Sequence, residues 1–211
     1  MDKKVTITIC RQFCSGGLDT AKVLSEKLNI PYYDREIVEM ASKKTGISLA
    51  MFENADEKPT NSFLYSIALG THNANFFNQS NDLLTNDKLF NMQSEIVREI
   101  AEDRSCIMVG RCTDYILRDT PSIIRVYLMA DMQDRIERFK KLEKSNDFKG
   151  KDIQSVLRKM DKKRESYYNY YTGRDWDNIN NYDIVINTTK IGIENTANQI
   201  INHMNYMNEL L

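Results

Sequence analysis

The first segment of the chain combines a β-branched run, a glycine turn and a helical pattern. Residues 5–10 read Val-Thr-Ile-Thr-Ile-Cys, the turn is Ser15-Gly16-Gly17, and Ala21, Leu24 and Leu28 then recur at helical spacing. A strand that enters a helix through a glycine turn presents backbone N–H groups and the helix N-terminus to an anion. This layout predicts a phosphate-binding loop at the carboxyl edge of an α/β sheet.

Two side chains of the common phosphate-loop pattern are missing. In G-x-x-x-x-G-K-[ST] the lysine reaches the outer phosphates and the hydroxyl serves magnesium. Gly16 matches the second glycine of that pattern, whereas Gly17 and Leu18 stand at the lysine and hydroxyl positions. By itself the pattern also fits a plain strand-to-helix turn, and that alternative stays open.

Five apolar runs have the length of buried strands, and most precede a helical pattern. They are residues 5–10, 30–33, 106–110, 123–130 and 184–187. This alternation predicts an α/β fold, a parallel sheet with helices on both faces. The expected helices begin near Gly16 and then cover about 35–44, 88–103, 152–171 and 192–210. Asp34 and Asp131 are expected to cap the helices after the second and fourth strands.

The length of 211 residues favours one domain over residues 1–211. Residues 48–87 are polar and aromatic and are expected to form a helical insert. No apolar run reaches the length of a membrane span and the first residues contain no signal-peptide core, so we expect a cytoplasmic protein without a membrane partner.

Charge and cysteine usage exclude further classes of function. The 29 Lys and Arg residues balance 30 Asp and Glu residues, which argues against a nucleic-acid partner. The four cysteines form no C-x-x-C pair and the chain has two histidines, so neither a metal site nor a disulfide framework is predicted.

Two groups of arginines are candidates for phosphate contact. Arg111 follows the third predicted strand, where its planar fork would share a crevice with residues 11–17. A surface arginine after a glycine turn is the alternative. The pairs Arg135 with Arg138 and Asp161 with Arg164 are three residues apart, so the members of each pair lie on one helix face. They predict either a solvated face or a mobile basic lid that supplies arginines to a phosphoryl group.

These features, taken in order, resemble the cytidylate kinase family, and more closely its cytidylate kinase-like branch. The resemblance rests on the residues 7–9 strand with the Ser15-Gly16-Gly17 turn, on residues 31–34, on Val109-Gly110-Arg111 and on residues 135–164. It extends through residues 168, 172–173, 176 and 182–183 and so covers nearly the whole chain.

The resemblance implies a P-loop fold with a five-stranded parallel sheet, an acceptor lobe that contains the insert, and a lid at about 135–175. It implies ATP as phosphoryl donor and Mg²⁺ held through phosphates and water. It places the nucleotide site at Arg11, Cys14, Ser15, Gly16 and Gly17, and acceptor binding at Asp34 and Arg111. It assigns catalytic roles to Arg111, Arg135, Arg138, Asp161 and Arg164.

The chain departs from the family pattern within the loop and after the third strand. Arg11 and Cys14 replace glycines, and Gly17 and Leu18 replace the lysine and the hydroxyl. Cys112 stands where authentic cytidylate kinases have an aspartate, which affects cytosine recognition. A guanidinium is always protonated and reaches as far as lysine, so Arg11 is a candidate to supply the missing charge from the other side of the loop.

Three functions are consistent with this sequence. The leading hypothesis is transfer of the ATP γ-phosphoryl group to a nucleoside monophosphate or a similar small acceptor. The second is a nucleotide-binding or sensing module without turnover. The third is an interaction protein that forms a homodimer through the aromatic insert, residues 63–77.

Overall fold

The structure is a computed structural model that describes residues 4–52, 76–142 and 150–210. The centre of the predicted insert, with Phe63 and Tyr65, lies outside the described residues, so the insert and the homodimer stay predictions. No helix in the described part of the chain is long and apolar enough to cross a membrane.

The predicted sheet is confirmed: five parallel strands lie in the order β2-β3-β1-β4-β5. The strands are β1 (Thr6–Arg11), β2 (Tyr32–Tyr33), β3 (Cys106–Val109), β4 (Ile123–Met129) and β5 (Ile184–Asn187). In register, Ile9 of β1 pairs with Val109 on one side and with Val126 on the other. The carboxyl ends of β1 and β3 therefore lie side by side.

Helices cover both faces of the sheet. They are α1 (Gly17–Leu28), α2 (Glu36–Thr45), α3 (Phe76–Asp103), α4 (Thr113–Ile116), α5 (Met132–Lys140), α6 (Ile153–Thr172) and α7 (Thr188–Leu210). A 3₁₀ turn at Ile179–Asn181 precedes β5. Helix α3 begins before the predicted start at residue 88, and α7 continues through a non-helical Gly192.

Strand periodicity divides the core into two layers. On one face, Ile7 and Ile9 pack with Ala21 and Leu24 of α1 and with Ile200 of α7. The opposite face packs on α2, α3 and α6 and contains aromatic residues, among them Tyr127, Tyr168, Trp176 and Tyr182. Alternate residues of a strand point to opposite faces, so one short strand serves both layers.

The structure corrects both predicted caps. The N-cap position of α2 is Arg35, which has no side-chain cap, and the Asp34 carboxylate instead faces Arg11 at 3.3 Å. Asp131 does occupy the N-cap position of α5, but its side chain accepts from Asn187 instead of a helix N–H. In both cases a tertiary partner takes the carboxylate that sequence reasoning assigned to a local cap.

Candidate functional site

The loop that joins β1 to α1 enters the helix through a left-handed residue. Gly16 occupies the N-cap position with φ 85°, and Cys14, two residues earlier, has φ 60°. The first residues of α1 have no intrahelical acceptor for their N–H groups, and the N-terminal end of a helix carries partial positive charge. The loop thus has the backbone geometry of an anion site.

Hydrogen bonds hold the carbonyl groups of this loop along its length. The Gln12 carbonyl accepts from Ser15 Oγ at 2.9 Å, and the Gly16 carbonyl accepts from Thr20 N at 2.9 Å. The Ser15 carbonyl accepts from Thr188 Oγ1 at 2.7 Å. The loop carbonyls are thus held by donors from the protein, and the N–H groups at the start of α1, which have no intrahelical acceptor, are the candidate donors to an anion.

Three arginines from α5 and α6 hold the remaining carbonyls. Arg135 Nε donates to the Phe13 carbonyl at 2.8 Å, and Arg138 Nη1 approaches the Cys14 carbonyl at 3.4 Å. Arg164 Nη1 donates to the carbonyl of Arg11 at 3.1 Å. Arginines from both predicted pairs, Arg135 with Arg138 and Asp161 with Arg164, therefore converge on one loop from two helices.

Asp161 completes this contact between the loop and α6. Its carboxylate accepts from the Phe13 N–H at 2.7 Å and forms an ion pair with Arg135, whose side chain is 3% exposed. The Arg164 guanidinium lies 5.1 Å from the centroid of the Phe13 ring. The segment predicted as a lid is thus bonded directly to the phosphate loop.

Cys14 contributes to this contact through packing. It packs against a small apolar cluster of Phe139, Val156 and Leu157 on α5 and α6. Burial raises the pKa of the Cys14 thiol to about 11, although Arg164 and Arg135 oppose that shift. The thiol is therefore neutral near pH 7 and acts here as an apolar side chain.

Arg11, Asp34 and Arg111 meet where β1, β2 and β3 end. Arg11 Nη2 lies 3.3 Å from Asp34 Oδ1, and Arg111 Nε donates to the Asp34 carbonyl at 3.0 Å. Arg111 belongs to a left-handed turn, with φ 76° at Gly110, 58° at Arg111 and 56° at Cys112. The residues predicted from separate motifs thus share one crevice.

Two positive charges, those of Arg11 and Arg164, lie close together in this crevice. Burial, followed by the repulsion from Arg11, lowers the pKa of Arg164 to about 9, so this group remains protonated near pH 7. Arg11 is paired with Asp34 and Arg135 with Asp161, and the charges of Asp161 and Asp34 also favour the protonated form of Arg164. Partly buried positive charge of this kind favours an anionic ligand.

The side chains of the loop offer little to a metal ion. Ser15 and Thr20 donate their hydroxyls to loop carbonyls, and Leu18 stands at the usual hydroxyl position. No group of three or more His, Cys, Asp or Glu residues suited to a metal ion occurs in the described ranges.

Sequence reasoning missed the contributions of Gln12, Thr188 and Ile193. Gln12 Oε1 accepts from the Ala130 N–H at 3.2 Å and so joins the loop to the end of β4. Thr188 bridges the loop and Arg138, and the Ile193 side chain lies directly beside Gly16. The position of Thr188 after the last parallel strand was the available signal, because such positions lie at the ligand edge.

Comparison with solved structures identifies relatives over nearly the whole chain. An uncharacterised protein from Eubacterium ventriosum is 25% identical, with a TM-score of 0.67 over 96% of this chain and 99% of that one. Shikimate kinase from Bacteroides thetaiotaomicron is 10% identical, with a TM-score of 0.57 over 95% of this chain and 98% of that one.

A second shikimate kinase, from Acinetobacter baumannii in complex with shikimate, is 13% identical, with a TM-score of 0.54 over 100% and 97% of the two chains. At these identities the likeness shows the P-loop kinase fold. No curated protein matches the sequence. The model of the cytidylate kinase-like family matches residues 6–190, and the chain therefore belongs to that family.

Proposed function

We propose that this protein transfers the γ-phosphoryl group of ATP to a nucleoside monophosphate or a similar small phosphate acceptor. The observation that carries the proposal is the loop whose carbonyls are held by Arg135, Arg138, Arg164 and Thr188, which fixes the backbone that leads into the N-terminus of α1, where N–H groups would meet a phosphate. Family membership and the kinase fold support a nucleotide kinase-like activity.

In this proposal the two substrates bind at neighbouring positions along the carboxyl edge of the sheet. The loop of residues 11–17 binds the triphosphate, and Arg111 with Asp34 lies on the acceptor side. Phosphoryl transfer requires in-line positioning and neutralisation of charge, with little covalent work for the protein. Asp161, Arg135 and Arg138 act in this proposal by positioning the loop. Arg11 and Arg164 supply positive charge to the crevice.

Gly17 and Leu18 favour a second candidate function, a nucleotide sensor without catalytic turnover. A loop without the lysine and the hydroxyl retains the N–H donors for binding but lacks two groups that ordinarily stabilise the transition state. A protein that binds ATP as a sensor and does not turn it over would have this loop.

Turnover with a panel of nucleoside monophosphates tests the proposal. We expect ADP release from ATP and Mg²⁺ that depends on the acceptor. Arg111→Ala should lower kcat/KM for the acceptor by about 100-fold, since one preorganised donor contributes that much. Arg104→Ala is the matched control, because Arg104 is an exposed arginine paired with Asp103. ATP binding without ADP release from any acceptor would favour the sensor.

A further inference from the structure

The side chain of Arg11 lies across the position that lysine occupies in the common loop pattern. A Cβ atom added to Gly17 would lie 2.7 Å from Arg11 Cγ and 3.0 Å from Arg11 Cβ. Real Cβ atoms essentially never approach another atom under 3.0 Å, so any side chain at position 17 must displace Arg11. The aliphatic part of Arg11 fills the space into which a lysine at 17 would extend.

Backbone conformation does not explain the glycine at position 17. Gly16 and Gly110 have positive φ, whereas Gly17 does not, so its backbone accepts an ordinary L residue. The contact with Arg11 is therefore what excludes a side chain there. The absence of a lysine at position 17 and the presence of an arginine at position 11 therefore have one structural cause, the space that the Arg11 side chain occupies.

A second glycine accommodates the far end of the same side chain. A Cβ atom on Gly110 would lie 1.7 Å from Arg11 Nη1 and 2.8 Å from Arg11 Cζ. The guanidinium thus lies directly beside Gly110, just after β3, with Asp34 at 3.3 Å as its counterion. Gly17 and Gly110 together form a slot that directs Arg11 from the phosphate loop to the acceptor side.

We infer that Arg11 is the cation that replaces the loop lysine, and that it acts between the two substrates, on the phosphoryl group in transit. This role rests on the proposed function. In the transfer an acceptor oxygen forms a bond to the γ-phosphorus while the bond from that phosphorus to the β–γ bridging oxygen breaks, and ADP leaves. Arg11 donates N–H bonds to the equatorial oxygens and exchanges no proton.

Relocating the charge tests this role. The variants are Arg11→Met, which keeps the stem without the charge, Gly17→Lys, and a double variant that combines Gly17→Lys with Arg11→Ala, because methionine would keep the Cγ atom that lies 2.7 Å from a Cβ at position 17. Each single variant should lose about 100-fold or more in acceptor-dependent kcat, because one leaves no cation and the other forces two side chains into one space. The double variant should recover about tenfold or more over either single variant, since alanine lacks the Cγ atom and lysine then supplies the charge.

A merely structural arginine would not be rescued by a lysine six residues away. Additive losses in the double variant, or an Arg11→Met variant as active as Arg104→Ala, would overturn the inference. Circular dichroism and thermal unfolding identify any variant that fails to fold, and for that variant Arg11→Lys and Gly17→Ala are the substitutes. Arg11→Lys should retain part of the activity, whereas Gly17→Ala should lose activity by displacing Arg11.

Binding separates this inference from the proposed function. Calorimetry with ATP and with inorganic triphosphate is independent of turnover. Arg11→Met should weaken both ligands by about tenfold or more, the loss of a charge-assisted contact, and the double variant should restore them. If wild type releases no ADP with any acceptor but this pattern holds, the proposed activity fails and the role of Arg11 as the loop cation stands. If Arg11→Met binds both ligands as wild type does, the inference fails.

Discussion

At the scale of single residues, the turn after β3 shows how this chain positions an arginine. Three successive residues, Gly110 to Cys112, adopt left-handed conformations, which cost about 1–2 kcal/mol for each non-glycine residue. The turn is held from within by Thr113 Oγ1, which donates to the Gly110 carbonyl at 2.9 Å. A second contact joins the residues after the turn to α6: the Asp114 carboxylate accepts a hydrogen bond from Tyr168 Oη at 2.7 Å. Strain of this kind persists where the surroundings over-determine it.

Asp114 makes a prediction about pH. Burial raises the pKa of the Asp114 carboxyl above its ordinary value of 3.8, although Tyr168 and Arg174 favour the charged form. A raised pKa in the folded state stabilises the fold at pH values below 3.8, and this contribution is lost as the pH rises through the folded-state pKa. The Asp114→Asn variant cannot titrate at this position. Its free energy of unfolding, measured by urea denaturation, should therefore rise relative to that of wild type as the pH increases above 3.8.

The test of this prediction is how the difference in unfolding free energy between the two proteins changes with pH, and not the size of that difference at one pH. The Asp114→Asn change introduces an amide at a buried position, which shifts stability equally at every pH. Parallel curves of unfolding free energy against pH for the two proteins would show that Asp114 titrates normally.

At the scale of elements, the contact of α5 and α6 with the phosphate loop is the unit that organises the site. The Arg135 guanidinium and the Asp161 carboxylate form a nearly buried ion pair, and each also bonds to the backbone of Phe13. One charged pair thereby joins two helices to the loop. Removing one partner of such a pair leaves a buried charge uncompensated.

Asp161→Asn is expected to destabilise the protein. The asparagine can still accept from the Phe13 N–H, but Arg135, which is 3% exposed, loses its counterion. Because Asp161 is itself 17% exposed, we expect about 3 kcal/mol, the lower end for a broken buried pair. Chemical denaturation measures the loss.

The next residue on α6 provides the comparison. Lys162 pairs with Glu165 on the solvent side of the helix, with 70% of the lysine side chain exposed. Lys162→Ala should cause no measurable loss, because exposed ion pairs contribute little to stability. Equal stability of the Asp161→Asn and Lys162→Ala proteins would mean that the buried pair does not hold the helices on the loop.

At the scale of the whole molecule, ligand binding should appear as thermal stabilisation. A ligand at about 100 times its Kd stabilises the folded state by about 2.7 kcal/mol. For a chain of this size each kcal/mol raises Tm by about 2–4 °C, so ATP should raise Tm by about 5–10 °C. Salt should reduce the shift, because the arginines of the crevice act through charge. A Tm unchanged by millimolar ATP at low salt would contradict an anion site at this loop.

The order of elements can be predicted from the sequence, because periodicity and turn residues are local signals. The apolar pattern predicts β5 at residues 184–187, where the structure has it, and the glycine turn does open α1. The site is predictable in outline for a similar reason: Arg111 follows a buried parallel strand, and such strands end at one edge of the sheet.

The partners within the site could not be predicted, because they are set by contacts between residues far apart in sequence. Asp34 has the local signature of a helix cap, yet it pairs with Arg11 once β2 and β1 lie in one sheet. Arg164 has the pattern of a solvated helix face, yet it bonds to the Arg11 carbonyl across 153 residues.

The sequence by itself determined the α/β architecture and the glycine turn between the first strand and the first helix, with glycine at the position of the loop lysine. Hydrophobic periodicity and glycine placement act within a few residues, and they suffice for both. Only the tertiary structure decided that Arg11 crosses Gly17 to reach Gly110, and that the arginines of α5 and α6 hold the loop. A long side chain has many directions open to it in an isolated loop, and packing against distant elements selects one.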